Sequence, residues 1–453
     1  MASHYTASPN RWRKPRSSDV PYRTFAVCTL AAMVVAPLAS AQVSYRQPDE
    51  LALAADLAKA NLSSDWTLSL SLGSAEQIQT ARVVGDALYV WTSGGSLYAL
   101  DRHRGLVRWV QQVDDAAHYP VYGPTHMNRL DGGRLTVVVT FDRVLLFDSY
   151  DGRLVGRVDL EFTPTSAAAA VGSMLYLGGA DQMVHAVRWC RACPGQSYEH
   201  WRVMAGGSVL ATPLVVRPGV LFYASTGGQV VSATALDKKG LWGRKLRTPV
   251  RVDMVALSHG LYVTGENGSI YRFDPGSGVL LQRYRLPARV TSTPMLDDGD
   301  LFALAADGAL YSVDPISAEI RWSQPGTTAL LAVQETQLAL HGRDHDLVIV
   351  DRFTGRELER LDLNRVDHFV SNRLDDAVYL LGDRGQILAA RSAGIPYQRS
   401  AEVLEAALWR RAGPARRMAG SQTGGTTAVA ISAADQDPLR SKSTLPTLVS
   451  ENP

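Results

Sequence analysis

A repeat of about 40 residues organises most of this chain. In one copy, residues 85–109, two short strands flank a Gly-Gly turn, and an Asp-x-x-x-Gly turn leads to a strand with a tryptophan. The second strands of all the copies align on Leu88, Leu135, Leu175, Leu221, Leu261, Leu301, Leu338 and Val378. Because 40 residues supply four short strands, we predict an all-β fold, an eight-bladed β-propeller of four-stranded antiparallel blades.

Both turns of the repeat have fixed positions for particular residues. In the first turn one aligned position holds Gly95, Gly228, Gly268, Gly308 and Gly385, which is typical of a turn that needs a positive φ. The second turn places an aspartate four residues before a glycine in the pairs Asp101 and Gly105, Asp148 and Gly152, Asp274 and Gly278, and Asp351 and Gly355, whereas Asp314 is followed by Ala318. An aspartate there can accept the backbone N–H groups of its own turn.

Trp109 and Trp322 each follow the aspartate of this turn, Asp101 and Asp314, by eight residues. A large flat ring at that place can fill the wedge between neighbouring blades. We therefore expect these aspartates, glycines and tryptophans to have a structural role.

The spacing of Ala99, Asp101, Gly105 and Trp109 resembles the repeat of the pyrroloquinoline-quinone-type β-propellers, and the resemblance covers roughly residues 66–391. That superfamily includes eight-bladed quinoprotein dehydrogenases and a non-catalytic branch, with a scaffold lipoprotein of the bacterial outer-membrane assembly machine. The resemblance implies the propeller fold, and it leaves the activity open between these branches.

The eighth repeat ends near Arg391 without an obvious fourth strand. We predict that residues 66–72, which precede the first blade, supply that strand and pair with residues 387–390. An N-terminal strand used in this way closes the ring and removes its open edge.

Four segments are expected along the chain: a signal peptide at 1–41, a helical segment at 42–61, the propeller at 62–392, and a short helix with a disordered tail at 393–453. The signal has a basic beginning, an uncharged apolar run and the small residues Ala39, Ser40 and Ala41. An uncleaved anchor is the alternative. Cys28 lies inside the apolar run after Val27, unlike a lipid-attachment cysteine, and departs from the scaffold lipoprotein in this respect.

Catalytic and cofactor-binding residues are not predicted. Quinoprotein enzymes combine a calcium ion held by acidic and amide groups, a catalytic aspartate and often a disulfide between adjacent cysteines. This chain has no adjacent cysteines, and the inner strands expected at 163–170 and 210–216 contain no acid or amide. With 46 Lys and Arg against 44 Asp and Glu, the chain also lacks the basic excess of nucleic-acid-binding proteins.

Cys190 and Cys193 form the one local redox or metal candidate. We expect a small structural disulfide in an exported protein, and its short loop predicts a stabilisation at the low end of roughly 0–5 kcal/mol. A metal half-site or a reactive thiol pair is the alternative, since a zinc site needs about four ligands.

Two further sets of polar residues lie in the first turns of the blades. His341, Asp344, His345 and Asp346 could bind a divalent ion, but polar side chains are ordinary in such turns, so we predict no metal. A loose acidic ring is possible at Asp142, Asp181, Glu266, Asp307, Asp344 and Asp383. The common preference of aspartate for turns accounts for it better, and this is the interpretation we favour.

The expected function is that of an exported, non-enzymatic propeller in the cell envelope, periplasmic or extracellular, which binds a protein partner on its loops. A closed ring of blades holds variable loops at fixed positions, which suits a scaffold. A quinone-dependent dehydrogenase and a module that binds glycan or envelope polymer are the alternatives. We expect no nucleic-acid partner and no stable membrane span after signal cleavage.

The signal peptide is directly testable. We predict that the mature protein begins at Gln42, because basic, apolar and small residues follow one another in the order that signal peptidase requires. N-terminal sequencing of protein from the native host checks this. Protein that still begins at Met1 would contradict it.

Overall fold

Eight antiparallel sheets of four strands make up the described part of the protein. The computed structural model describes residues 51–393 apart from residues 53, 114–120, 130–132, 190–197, 218, 258, 298 and 364. Within these residues one helix, α1 (Ala54–Lys59), precedes 32 strands. The prediction of an all-β, eight-bladed propeller is confirmed.

The first strand of each blade lies innermost, next to the first strands of neighbouring blades, and the later strands follow outwards. Blades 1 to 4 consist of β2 (Ile78–Val84), β3 (Ala87–Thr92), β4 (Ser96–Asp101) and β5 (Leu106–Gln112); β6 (Tyr122–Asn128), β7 (Arg134–Val139), β8 (Arg143–Asp148) and β9 (Leu154–Asp159); β10 (Ala169–Val171), β11 (Met174–Gly178), β12 (Met183–Arg188) and β13 (Tyr198–Met204); and β14 (Leu214–Arg217), β15 (Val220–Ala224), β16 (Gln229–Thr234) and β17 (Gly240–Lys245).

Blades 5 to 8 repeat this order, and the last blade takes its outer strand, β1, from the start of the chain. They consist of β18 (Val255–Leu257), β19 (Gly260–Thr264), β20 (Ser269–Phe273) and β21 (Leu280–Arg285); β22 (Met295–Asp297), β23 (Asp300–Leu304), β24 (Ala309–Val313) and β25 (Ile320–Pro325); β26 (Thr327–Val333), β27 (Gln337–Gly342), β28 (Asp346–Asp351) and β29 (Glu357–Asp362); and β30 (His368–Val370), β31 (Val378–Leu381), β32 (Gln386–Ser392) and β1 (Leu62–Ser69).

The hydrophobic core lies between neighbouring blades. All eight residues that align the repeat are 0% exposed. Along β19, Leu261 and Val263 pack with blade 4, whereas Tyr262 packs with blade 6. Because the second strand of a blade is covered on both faces, its sequence is a continuous apolar run.

The N-terminal strand closes the ring, as predicted. β1 is antiparallel to β32, with Trp66 opposite Ala389 and Leu68 opposite Ile387. The predicted bounds of 66–72 were wrong: the strand begins at Leu62 and ends at Ser69. Its first half is mostly polar because it forms the exposed outer edge of blade 8, so an apolar pattern does not reveal it.

Helix α1 packs on the seam between blades 7 and 8. Leu57 is buried there with Leu347 and Leu380. Asn61, at a φ of 54°, ends the helix in the left-handed conformation that asparagine tolerates and leads directly into β1.

A buried group of charges joins the two ends of the ring. Arg102 of blade 1 is 0% exposed and donates from Nη1 to Asp375 Oδ2 of blade 8 at 2.8 Å. On the same seam Arg391 of β32 donates from Nε to Asp65 Oδ2 of β1 at 2.8 Å. Burial raises the pKa of Asp375, but the positive charges of Arg102 and Arg391 outweigh this, and the pKa lies below its ordinary value.

Aromatic side chains join most blades to the next one. Indole Nε1 atoms donate across blade boundaries, from Trp66 to Arg102 O at 2.9 Å, Trp109 to Ser149 O at 3.1 Å, Trp201 to Ala235 O at 3.1 Å, Trp242 to Pro275 O at 2.9 Å and Trp322 to Arg352 O at 3.1 Å. The turn glycines lie directly against four of these rings: Gly105 against Trp66, Gly152 against Trp109, Gly278 against Trp242 and Gly355 against Trp322. These glycines therefore serve both the turn and the contact between blades.

Two of the described turns carry another residue in place of this glycine, Ala318 in blade 6 and Lys238 in blade 4. Ala318 takes the same left-handed conformation, with a φ of 64°. The preceding blade places Tyr284 there instead of a tryptophan, and its hydroxyl donates to Pro315 O at 2.8 Å. A phenol is smaller than an indole, which leaves room for the Cβ of Ala318. In blade 4, Lys238 takes the same position at a φ of 53° in the turn that accepts the Trp201 hydrogen bond, so a tryptophan does not by itself exclude a Cβ.

We expect Gly355→Ala to be much more destabilising than the reverse exchange at Ala318. A Cβ on Gly355 would lie 2.5 Å from the Trp322 ring at a φ of 70°. Left-handed strain and overpacking together predict a loss of about 2–4 kcal/mol in the free energy of unfolding. Ala318→Gly should stay within about 1 kcal/mol of the parent, because relief of strain offsets the entropy of glycine. Urea unfolding measures both, and equal losses would contradict the explanation.

Deleting residues 42–72 should abolish the cooperative thermal melt or cause aggregation. The deletion leaves β32 as an open edge and removes the buried Leu62 and Leu68. Truncation after Gly413 is the control, because it removes a polar segment and should leave the melting temperature unchanged. If the N-terminal deletion melted like the parent, β1 would not be needed for closure.

Candidate functional site

The inner strands surround a central channel that widens into a cavity on the side of blades 1 to 4. The cavity has a volume of about 490 Å³. Its walls carry Gln79, Thr80, Ala81, Arg82, Trp91, Val121, Tyr122, Gly123, Thr165, Ser166, Ala167, Leu210 and Thr212. The wall is rich in hydroxyl groups and carries one cation, Arg82, with no carboxylate among these residues.

A second arginine reaches into the channel from blade 8. Arg373 follows β30 and donates from Nη2 to Thr293 O of blade 6 at 2.6 Å, so its side chain extends across the channel. Burial lowers the pKa of Arg373; the carboxylate of Asp253 opposes this, and the positive charge of Arg82 adds to it. Asp253 Oδ1 accepts a hydrogen bond from Thr212 N at 2.7 Å.

The turns between third and fourth strands form one face of the ring, and several present a large apolar side chain to solvent. The exposed fractions are 86% for Tyr150, 64% for Leu236, 87% for Ile316 and 63% for Phe353. Each is the third residue of its turn. We call these four residues the apolar tips.

Three of the tips are held by the aspartate that begins the turn. The carboxylates of Asp148, Asp314 and Asp351 accept the backbone N–H of Tyr150 at 2.9 Å, Ile316 at 2.7 Å and Phe353 at 3.1 Å. In blade 6 the N–H of Ser317, the Arg321 guanidinium and the N–H of Ile316 lower the pKa of Asp314 to about 2. The carboxylate therefore remains charged and keeps the tip in place throughout the physiological pH range.

Three of the four residues of blade 7 that could bind a metal contact neighbouring side chains. His341 is bonded through Nδ1 to Thr328 Oγ1 at 2.8 Å and stacks on Phe369 at 4.0 Å between ring centroids. Asp346 pairs with Arg360, and the His345 ring centroid is 5.4 Å from that of His341. Asp344 makes no hydrogen bond or ion pair with the described residues. No group of three His, Cys, Asp or Glu side chains placed to hold a metal occurs in the described part of the chain.

The acids of the first turns mostly bind partners in their own or a neighbouring blade. These pairs are Asp142 with Arg143, Asp181 with His185, Glu266 with Arg251, Asp307 with the Tyr311 hydroxyl, and Asp383 with His368. They are thus tied to local cations and hydroxyls. Cys190 and Cys193 lie outside the described residues.

Sequence analysis missed both the channel arginines and the apolar tips. The tips had a visible signal, because Tyr150, Ile316 and Phe353 occupy one aligned position, two residues after the turn aspartate. Arg82, Arg373 and Asp253 had none, since they are far apart in sequence and only ring closure brings them to one channel.

Known structures share this fold. BamB from Moraxella catarrhalis has a TM-score of 0.58 at 14% identity, over 74% of this chain and 99% of that one. The computationally designed Ika8 protein gives 0.52 at 16% identity, over 71% of this chain and 98% of the design. Sqt1 from Saccharomyces cerevisiae gives 0.53 at 11% identity, over 69% and 94%. At these identities the likeness concerns the fold alone.

A protein that is similar in sequence indicates the family of this chain. Outer membrane protein assembly factor BamB of Yersinia pestis is 27% identical over 178 residues, or 35% of this chain and 43% of that protein. The match thus spans less than half of the relative's length. Among the described residues, no helix has the length and apolarity needed to cross a membrane.

A protein-family model also matches this chain, and it indicates the same family as the Yersinia pestis relative and the sequence repeat do. The model for outer membrane protein assembly factor BamB, a family of quinoprotein-like repeats, matches residues 141–281 and 258–435, which together exceed half of the chain. The resemblance found in the sequence is confirmed. The chain belongs to the BamB family of eight-bladed propellers.

Proposed function

We propose that this protein is an exported, non-enzymatic scaffold of the cell envelope that binds a protein partner during outer-membrane protein assembly. Family membership supports this function, since the matching family and the Yersinia pestis relative are named as assembly factors. In the same proposal, residues 1–41 direct export, residues 62–392 form the binding domain, and Cys190 and Cys193 form a structural disulfide.

The observation that carries the proposal is the set of apolar tips on one face. A tip such as Ile316 is almost fully exposed, although a large apolar side chain gains free energy when a partner covers it. Ile316 and Phe353 belong to adjacent blades and are both fixed by a turn carboxylate. Because the tips are already ordered, they lose little conformational entropy when a partner docks on them.

The channel does not favour the alternative of a quinone-dependent dehydrogenase. A calcium ion needs carboxylate, carbonyl or amide oxygens. The cavity wall offers hydroxyl groups and the amide of Gln79, and Arg82 would repel a divalent cation. These residues do not fit a calcium-bound quinone.

The double variant Ile316→Ser/Phe353→Ser tests the docking face. We expect it to weaken capture of the envelope partner by at least about tenfold, since two buried apolar side chains contribute roughly 1.5–3 kcal/mol each. Quantitative cross-linking of the mature protein in native envelopes, with the captured protein identified by mass spectrometry, measures the change.

The matched control is Phe141→Ser/Met204→Ser, which replaces two exposed apolar residues where the strands end at the opposite face. This control should capture the partner as the parent does, and both variants should retain the parental melting temperature. Equal capture by both double variants would refute the proposed face.

A further inference from the structure

We propose that the face opposite the apolar tips carries a second docking surface, which binds an acidic segment of a protein partner. Its centre is the first turn of blade 5, residues 265–268, and its contacts come from Arg247, Arg251, Arg285 and Arg289. We call these four residues the arginine cluster. The surface is separate from the apolar tips, so it gives the ring a second partner of different chemistry.

The loops that follow β17 and β21 hold this turn from both sides. In the first loop, Thr248 Oγ1 accepts a hydrogen bond from the backbone N–H of the third turn residue at 3.0 Å. In the second loop, Leu286 N donates to Gly268 O at 2.8 Å. Arg247 and Arg285 directly precede these two loop residues. Both arginines are therefore placed beside the same turn.

Glu266 is the one carboxylate of this turn, and two arginines share it. Arg251 Nε lies 2.6 Å from Glu266 Oε1, whereas Arg289 Nη1 is 3.7 Å from the same oxygen. The second distance is too long for a hydrogen bond. The side chains of Arg251 and Arg289 are 50% and 58% exposed. One carboxylate thus faces two cations, and Arg289 keeps its N–H donors available for another acid.

Arg247 and Arg285 are exposed and have no acidic partner among the residues that the structure describes. Two residues before Arg285, Arg283 lies over the Tyr271 ring at 5.2 Å, in the core between blades 4 and 5. Side chains two residues apart in a strand share a side, so Arg285 also faces blade 4. Arg247 follows the last strand of blade 4. The two arginines thus add positive charge on one side of the turn.

The segments around the turn carry an excess of positive charge. Residues 245–254, 265–268 and 285–294 contain five cations, Lys245 and the arginine cluster. The same segments contain two carboxylates, Asp253 and Glu266. Three positive charges are therefore left unbalanced at this place.

The first turns on either side do not supply the missing negative charge. That of blade 4, residues 225–228, has no charged residue. That of blade 6 contains Asp307, and the guanidinium of Arg343 from blade 7 lies against the next residue, Gly308. The positive excess of blade 5 therefore remains available to a partner.

The chemistry of this surface favours the carboxylates of a protein over a lipid surface. Four of its five cations are arginines, whose planar forks match carboxylates and which are common in protein interfaces. Surfaces that bind membranes combine cations with large apolar side chains that enter the lipid. None of the large apolar residues that are exposed in the described part of the chain lies in these three segments. An acidic protein segment is thus the occupant that fits.

Fluorescence anisotropy with the full mature chain and a labelled peptide of alternating Glu and Ser tests the surface. At an ionic strength of about 0.15 M the Debye length is about 8 Å, so charges far from the arginine cluster contribute little. We expect saturable binding of this peptide and no binding of a counterpart with Gln in place of Glu. Arg247→Gln/Arg285→Gln should weaken binding at least about threefold, because it removes two ion pairs with the peptide.

The matched control is Arg153→Gln/Arg356→Gln, which removes two exposed arginines from turns of the opposite face and changes the net charge equally. It should bind the peptide as the parent does. Glu266→Gln should tighten binding at least about twofold, since it releases Arg251 and Arg289 for the peptide. A role of these arginines in stability alone does not predict such a gain.

Failure of the acidic peptide to bind, or equal loss in both arginine double variants, would overturn the proposal. Sedimentation of the parent with phosphatidylglycerol vesicles that Arg247→Gln/Arg285→Gln abolishes would also overturn it, because the arginine cluster would then bind a lipid surface. Ile316→Ser/Phe353→Ser should bind the peptide as the parent does. Failure of this surface and failure of the apolar tips are therefore distinguishable.

Discussion

The pairing of β1 with β32 is the constraint on which the rest of the structure depends. It joins residues more than 300 positions apart and converts eight similar sheets into a ring. The Arg102–Asp375 pair between blades 1 and 8 is almost completely buried. Loss of one partner from a buried pair generally costs about 3–5 kcal/mol, because the other charge is left uncompensated. The junction between blades 1 and 8 is therefore stable only when β1 and β32 pair in register.

Within the closed ring, one type of contact is repeated between blades. An aromatic ring on the outer strand lies against the next blade's turn and donates a hydrogen bond to it, as Trp322 does to Arg352 O. Apolar residues on both faces of the second strands fill the remaining space. Rigid packing of this kind fixes the turns, and the turn aspartates then orient Ile316 and Phe353 towards solvent.

Two chemically different surfaces result. The face with the apolar tips suits a macromolecular partner, because its exposed side chains are large, apolar and spread over several blades. The cavity of the channel has a wall rich in hydroxyl groups, with Arg82 as the one cation among its wall residues. The same ring thus combines an apolar outer face with a polar channel.

The sequence by itself determined the repeat, the all-β class, the number of blades and the need for an N-terminal closing strand, because turn glycines and apolar strands recur locally. It also showed that Asp314 and Ala318 occupy the turn positions that aspartate and glycine hold in the other repeats. Tertiary structure alone decided that closure begins at Leu62, that Tyr284 accompanies Ala318, and that Arg82 lies in the cavity wall. A local pattern records how a residue fits its own blade, whereas these contacts arise between blades, after the ring has closed.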